Sequence, residues 1–115
     1  MEQRLFIILK RTRSDGKLSG LVGQGFMDAN QATREANLRT NSCSSYDYEV
    51  ISRLVDKAEN TYVAIRTHDK QSHRFSGIAD KVFTDTVAAR EEVLRLIATN
   101  PEKDYFGTFI VVKQN

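Results

Sequence analysis

The stretches KLSGLVGQGFMD, residues 17–28, and RFSGIADKVFTD, residues 74–85, share a Ser-Gly pair, a Phe six residues after the Gly, and an Asp two further on. When the 115-residue chain is aligned with itself at an offset of 57, without a gap, 11 of the 58 residue pairs are identical. We interpret the chain as one domain, residues 1–115, built from two tandem repeats at about 1–57 and 58–115.

Each repeat predicts the same order of elements. The runs RLFIILKRT, residues 4–12, and TYVAIRTHD, residues 61–69, are rich in residues that favour strands, and each leads through a short polar stretch into the Ser-Gly strand. A helical pattern and a closing strand follow, at YDYEVISRLV in the first repeat and YFGTFIVV in the second. The repeat unit is therefore strand, strand, helix, strand.

The ends of the predicted helices carry recognisable signals. Asp28 and Asp85 stand directly before helical patterns, so we expect their side chains to accept from exposed amides of the first turn. Asn100 and Pro101 end the second helix, because proline cannot continue it and biases the preceding residue toward extended geometry.

The predicted core follows from spacing and from the shared frame. Phe26 and Phe83 are expected to fill the core where strand leads into helix, while Gly20 and Gly77 mark a bend or close backbone contact. The first helix offers only a thin apolar stripe. The second helix has a fuller stripe at three- and four-residue spacing, which comprises Ala89, Val93, Leu96 and Ile97, and its expected solvent face comprises Arg90, Glu91, Glu92 and Arg95.

Together these elements predict an α+β domain with six strands and two helices, the helices packed on an antiparallel sheet in two layers, and a pseudo-twofold relation between the repeats. If the Ser-Gly strands are left out, the order becomes βαββαβ, so a ferredoxin-like arrangement with extra strands is the alternative. That likeness is topological only. TYVAIRTHD lacks the aromatic pattern of an RNA-recognition motif.

Composition describes an ordinary folded chain, with 40% hydrophobic and 28% charged residues and a formal net charge of +2. The apolar run LFIIL is far too short to span a bilayer, and Cys43 is the only cysteine, so no disulfide within the chain can form. These features predict a cytoplasmic protein that does not enter membranes.

Candidates for catalysis are few. His68 and His73 are spaced so that a hairpin could bring them together, but two ligands make only a partial zinc site. Cys43 has no evident base beside it, and GLVGQGF, residues 20–26, lacks the glycine order of a phosphate-binding loop. We therefore expect no enzymatic activity, no metal and no cofactor.

Basic residues concentrate at the two predicted hairpins. At the offset of 57, Arg11 aligns with His68, Arg13 with Lys70, and Lys17 with Arg74. If the hairpins share a face, they would form an anion-binding surface suited to a nucleic-acid backbone. Exposed loops are also basic for solubility and to protect strand edges. The candidate anion-binding residues are Arg11, Arg13, Lys17, Arg66, Lys70 and Arg74.

The sequence thus favours a small non-enzymatic binding module with a regulatory role. One hypothesis is nucleic-acid binding through the two basic hairpins, with low sequence specificity. The alternative is an inhibitor or adaptor that binds a single protein partner through a strand edge or a charge match. Self-association is compatible with either hypothesis.

Overall fold

The computed structural model describes residues 3–113, which form six strands and two helices. The α+β class predicted from the sequence is confirmed. In chain order the elements are β1 (Gln3–Thr12), β2 (Leu18–Phe26), α1 (Ala29–Ser42), β3 (Tyr46–Val55), β4 (Thr61–Asp69), β5 (Phe75–Ile78), α2 (Thr86–Thr99) and β6 (Lys103–Val112).

The strands form one sheet in the order β3-β1-β2-β6-β4-β5. β1 lies between its antiparallel neighbours β2 and β3, and β4 likewise lies between β5 and β6. The expectation of a purely antiparallel sheet is wrong at one place, because β2 and β6 are parallel. This pair joins the first half of the sheet to the second, and it extends over only Gln24–Val111 and Gly25–Val112.

The pairing registers of the two halves match. Phe6 pairs with Phe26 in the first half, and Val63 pairs with Phe83 in the second, so both partners differ by 57 residues. The irregularity between Lys10 and Arg11 in β1 has its counterpart between Thr67 and His68 in β4. That the two halves superpose in three dimensions remains a prediction.

The ferredoxin-like alternative is not confirmed. It treats the Ser-Gly strands as additions to a four-stranded core, yet β2 occupies the middle of the sheet between β1 and β6. β2 also leads directly into α1 and β5 precedes α2, so both strands belong to the basic arrangement of the fold.

The predicted helix caps are confirmed. Asp28 accepts from the backbone N–H of Asn30 at 3.1 Å, and Asp85 accepts from that of Val87 at 3.0 Å. Each bond satisfies one of the amides that a helix leaves without an internal partner. α2 ends before Asn100, as Pro101 requires.

The main core lies inside the curled sheet. Its buried residues come from both halves, and Val55 of β3 and Ile78 of β5 belong to the same cluster although these strands stand at opposite ends of the strand order. No helix residue is among the buried members, so the expected two-layer arrangement is incomplete. The buried members are Leu5, Ile7, Leu9, Val55, Tyr62, Ala64, Phe75, Ile78, Ile110 and Val112.

Two local features, at Arg53 and at Gly25, accompany this curl. Arg53 of β3 donates to the carbonyl oxygens of Ile78 and Ala79, at 3.1 and 3.2 Å, and so connects the two ends of the sheet. A Cβ atom on Gly25 would lie 2.6 Å from Cγ2 of Ile110 and 2.9 Å from Cδ1 of Leu5, too close for any side chain. Gly25 is therefore the glycine of close contact, whereas Gly20 would meet nothing nearer than 3.9 Å.

The helices cover the convex face of the sheet unequally. Under α1, Ala32 and Ala36 are buried together with Ile8 and Phe26. On α2 only Ala89 is buried, and Ile97 is exposed, which corrects the predicted apolar stripe. Glu92, expected to face water, keeps only 13% of its side chain exposed and pairs with Arg95.

The two Phe residues of the shared frame should therefore differ in their effect on stability. Phe26 is completely buried, so Phe26→Ala should lower the free energy of unfolding by about 3–5 kcal/mol. Phe83 is only half-buried and lies outside the buried core. Phe83→Ala should therefore lower the free energy of unfolding by only about 1–2 kcal/mol, as expected for partial burial. Urea unfolding of both variants measures the difference, and equal losses would contradict it.

Candidate functional site

The two basic hairpin loops lie at the same end of the sheet. Asp15 in the first loop accepts from Nη2 of Arg74 in the second at 3.0 Å. Each loop also forms a backbone hydrogen bond with the segment after a helix. The N–H of Arg13 donates to the carbonyl oxygen of Ser45 after α1, and the N–H of Lys70 donates to that of Glu102 after α2. The structure thus brings the predicted loops together, a relation on which the sequence was silent.

Both loops have the same turn geometry. Gly16 has a φ of 70°, and His73, at the matching position, has a φ of 62°. Asp15 accepts from the backbone N–H of Lys17, while Asp69 accepts from the N–H groups of Gln71 and Ser72. These hydrogen bonds hold the loop tips in one shape.

Most of the predicted anion-binding arginines are already paired. Arg11 contacts Glu49 at 2.7 Å, and Nη2 of Arg13 lies 2.9 Å from Asp47. Both carboxylates come from β3, the neighbour of β1. Arg74 pairs with Asp15 as described, so three of the six candidates have their charge largely compensated within the chain.

Arg66 has a different environment from the loop arginines. Its guanidinium carbon lies 5.3 Å from the ring centroid of Phe75, and its buried Nε has no hydrogen-bond partner among the described residues. The ring of His68 contacts the edges of both Phe75 and Phe106. This guanidinium is half-buried against aromatic rings and does not form part of an open basic surface.

Lys17 and Lys70 are the remaining two candidates. Both are exposed, and within residues 3–113 no carboxylate lies within ion-pair distance of either ammonium group. The hairpin end therefore offers two open cations, where the sequence predicted six. That is a small charge for holding a nucleic-acid backbone.

No metal site forms around the histidines in the part of the chain that the structure describes, because no three His, Cys, Asp or Glu side chains come together. Nδ1 of His68 lies 3.4 Å from the carbonyl oxygen of His73. Cys43 stands at the end of α1 as a free, half-buried thiol.

A different surface stands out, and we call it the α2–β6 groove. It is a cavity of about 410 Å³ between α2 and the first part of β6, and its lining is mainly apolar. Phe109 is 61% exposed and Phe106 is 53% exposed at its border. The lining comprises Val63, Thr86, Ala89, Arg90, Val93, Tyr105, Phe106, Gly107, Thr108 and Phe109.

Exposed apolar side chains concentrate on the two elements that form this groove, and Phe106 and Phe109 are the ones that line it. Of the eight large hydrophobic residues that are exposed within residues 3–113, six belong to α2 or β6. The six are Val87, Leu94, Ile97, Phe106, Phe109 and Val111, and the other two are Leu38 and Leu54.

Sequence reasoning missed the groove because it assumed that α2 would cover its sheet. One signal was available. YFGTFIVV is apolar at both odd and even positions, so this strand offers apolar groups to both faces of the sheet. A single helix whose residue nearest the strand is alanine leaves part of such a surface exposed.

Comparisons with known proteins found no family model, curated protein or solved structure that matches this chain. In residues 3–113, no helix has both the length and the apolar character needed to cross a membrane.

The link between the loops should weaken in acid. The backbone N–H of Lys17, followed by the hydrogen bond from Arg74, lowers the pKa of Asp15 below its ordinary value of 3.8. A carboxyl whose pKa is lower in the folded state adds stability above its unfolded pKa, and that stability is lost as the pH falls through the folded pKa.

We therefore expect Asp15→Asn to lower the melting temperature at neutral pH, with the difference from the parent shrinking below about pH 4. Thermal unfolding followed by circular dichroism between neutral and acidic pH measures this. Asp56→Asn is the control, because Asp56 is an exposed carboxylate with no hydrogen bond or ion pair in the described structure. A difference that stays constant with pH would refute the expectation.

Proposed function

We propose that this protein is a small non-enzymatic binding module, an inhibitor or adaptor that engages one protein partner through the α2–β6 groove. The observation that carries the proposal is the concentration of exposed apolar side chains on α2 and β6. α2 packs against β6, and exposed apolar surface on packed elements of a folded domain is typical of protein interaction sites.

The chemistry of the groove supports a protein partner over a small anionic ligand. Phe106 and Phe109 are the aromatic anchors, and such residues dominate the binding energy of protein interfaces. Arg90 is the one charged residue of the lining, and it is exposed without an ion pair in residues 3–113. An apolar centre with an arginine at its border is the usual composition of an interface core and rim.

Phe109→Asp should abolish partner capture without unfolding the protein, because it places a charge in the groove at a side chain that contributes little to the core. The immobilised protein is incubated with nuclease-treated lysate of the organism that encodes it, and bound proteins are identified by mass spectrometry. We expect one protein to be retained by the parent and lost with the variant. Circular dichroism checks that the variant remains folded.

The matched control is Leu38→Asp on α1, where a similarly exposed apolar residue lies far along the chain from the groove. This variant should retain the partner. If Phe109→Asp and Leu38→Asp capture the same proteins as the parent, the α2–β6 groove is not the binding surface.

Nucleic-acid binding is the second candidate function, and the shared location of the hairpins favours it. With two open lysines, the expected salt dependence is modest: each phosphate contact adds about 0.9 to the slope of log K against log salt, or about 1.8 for two. Lys17→Ala/Lys70→Ala should remove that slope in a titration with mixed-sequence duplex. Arg11→Ala should leave it unchanged, because Glu49 already pairs with Arg11. Absence of binding at low salt would exclude this candidate.

We further propose that the two halves are structural repeats in a pseudo-twofold arrangement. Support comes from the matching registers, from the two Asp caps and from the shared turn geometry of the hairpins. A regulatory role and a cytoplasmic location remain expectations from the sequence.

A further inference from the structure

The first part of β6 has backbone groups that lack a strand partner. The backbone N–H of Val112 donates to the carbonyl oxygen of Asn60, and that of Lys70 donates to the carbonyl oxygen of Glu102. These two bonds show which residues along the β4–β6 ladder direct their backbone groups toward the other strand. The even-numbered residues of β6 therefore direct their N–H and C=O toward β4, and the odd-numbered residues direct theirs to the other side. Tyr105 and Gly107 are two of these odd-numbered residues.

On that other side stands β2, but only at its far end. The two strands pair at Gln24–Val111 and Gly25–Val112 and nowhere else within residues 3–113. β2 also contacts β5, and the Asp15–Arg74 ion pair joins the two loops that precede these strands. The edge of β6 from residue 103 to 107 is therefore open, whereas Gly23 of β2 already lies close to the carbonyl oxygen of Phe109.

The α2–β6 groove runs beside this open edge. It is lined by five consecutive residues of β6, 105 to 109, which include Tyr105 and Gly107 of the open stretch. Phe109 and Phe106 project to opposite faces of the sheet because their positions differ in parity. Gly107 between them is exposed and adds no side chain that would block access to the backbone.

We propose that the α2–β6 groove binds an extended segment of the protein partner, which adds as a strand to the open edge of β6 and places a carboxylate against Arg90. This inference rests on the proposed function and specifies its mode of recognition. In strand addition the main-chain hydrogen bonds supply affinity, and alternate side chains supply specificity.

The extended form follows from the unpartnered backbone groups of Tyr105 and Gly107, which a helical segment cannot satisfy. Alternate side chains of the added strand then contact Phe109 on one face and Phe106 on the other. The acidic residue follows from Arg90, a guanidinium in an apolar lining that forms no ion pair with any carboxylate of residues 3–113.

The experiment is a selection on the full-length protein from a phage-displayed library of random linear peptides of about 10 residues, longer than a typical strand. Selected sequences should alternate apolar residues and contain Asp or Glu. Phe109→Asp should weaken their binding about tenfold or more, whereas Leu38→Asp should not. Arg90→Glu should weaken it by about tenfold, and exchange of the peptide carboxylate for Lys should restore it.

Methylation of single backbone nitrogens in a selected peptide tests directly whether the peptide binds as an added strand. Binding should fall at every second amide, because only alternate N–H groups face β6. Contact residues that recur at three- and four-residue spacing, or methylation effects without this period, would show a helical ligand and overturn the inference. Selection of no peptide that prefers the parent over Phe109→Asp would overturn it as well.

Analytical ultracentrifugation provides the remaining outcome. A dimer that Phe109→Asp dissociates would mean that a second copy of this chain occupies the surface, against the inference. If lysate capture still depends on Phe109 when the peptide test fails, the proposed function stands and only strand addition is lost. If capture is independent of Phe109, both fail.

Discussion

Burial of one apolar cluster inside the curled sheet is the constraint on which the rest of the structure depends. A flat six-stranded sheet with helices on one face would leave the inner side chains of β1 and β4 in water. Curling collects these side chains in one cluster, and Gly25 of β2 permits Leu5 of β1 to approach Ile110 of β6 because no side chain fits between them. Arg53 then connects the two ends of the sheet by hydrogen bonds to backbone oxygens that strand pairing leaves free.

The same curl creates the candidate functional surface. β2 pairs with β6 only at Gln24 and Gly25 and also contacts β5, so the ladder does not continue along the first part of β6 and that edge remains open. α2 covers the convex face only around Ala89, so Phe109 stays exposed. An open strand edge beside exposed aromatic rings is a hazard for aggregation unless a partner or a charge protects it. Strand addition by a partner would pair the open backbone groups of β6 and cover the exposed aromatic rings.

The basic residues of the two hairpins show that residue type alone does not indicate whether a charged side chain is free to bind a ligand. The sequence predicts six basic residues at two hairpins, and the structure brings the two loops together. Carboxylates from the neighbouring strand pair with Arg11 and Arg13, and those carboxylates are more than 30 residues away along the chain. Such pairing depends on strand order, so local composition could not reveal it. The apolar groove between α2 and β6 was missed because the apolar pattern of α2 was expected to cover the sheet.

The sequence by itself determined the order of elements, the helix ends and the α+β class, because these depend on local preferences such as the caps at Asp28 and Asp85. It also located Phe26 in the core. Only the tertiary structure decided the parallel contact of β2 with β6, the partial burial of Phe83 and the exposure of Ile97. These depend on how the two halves meet, and periodicity within one element contains no information about that contact.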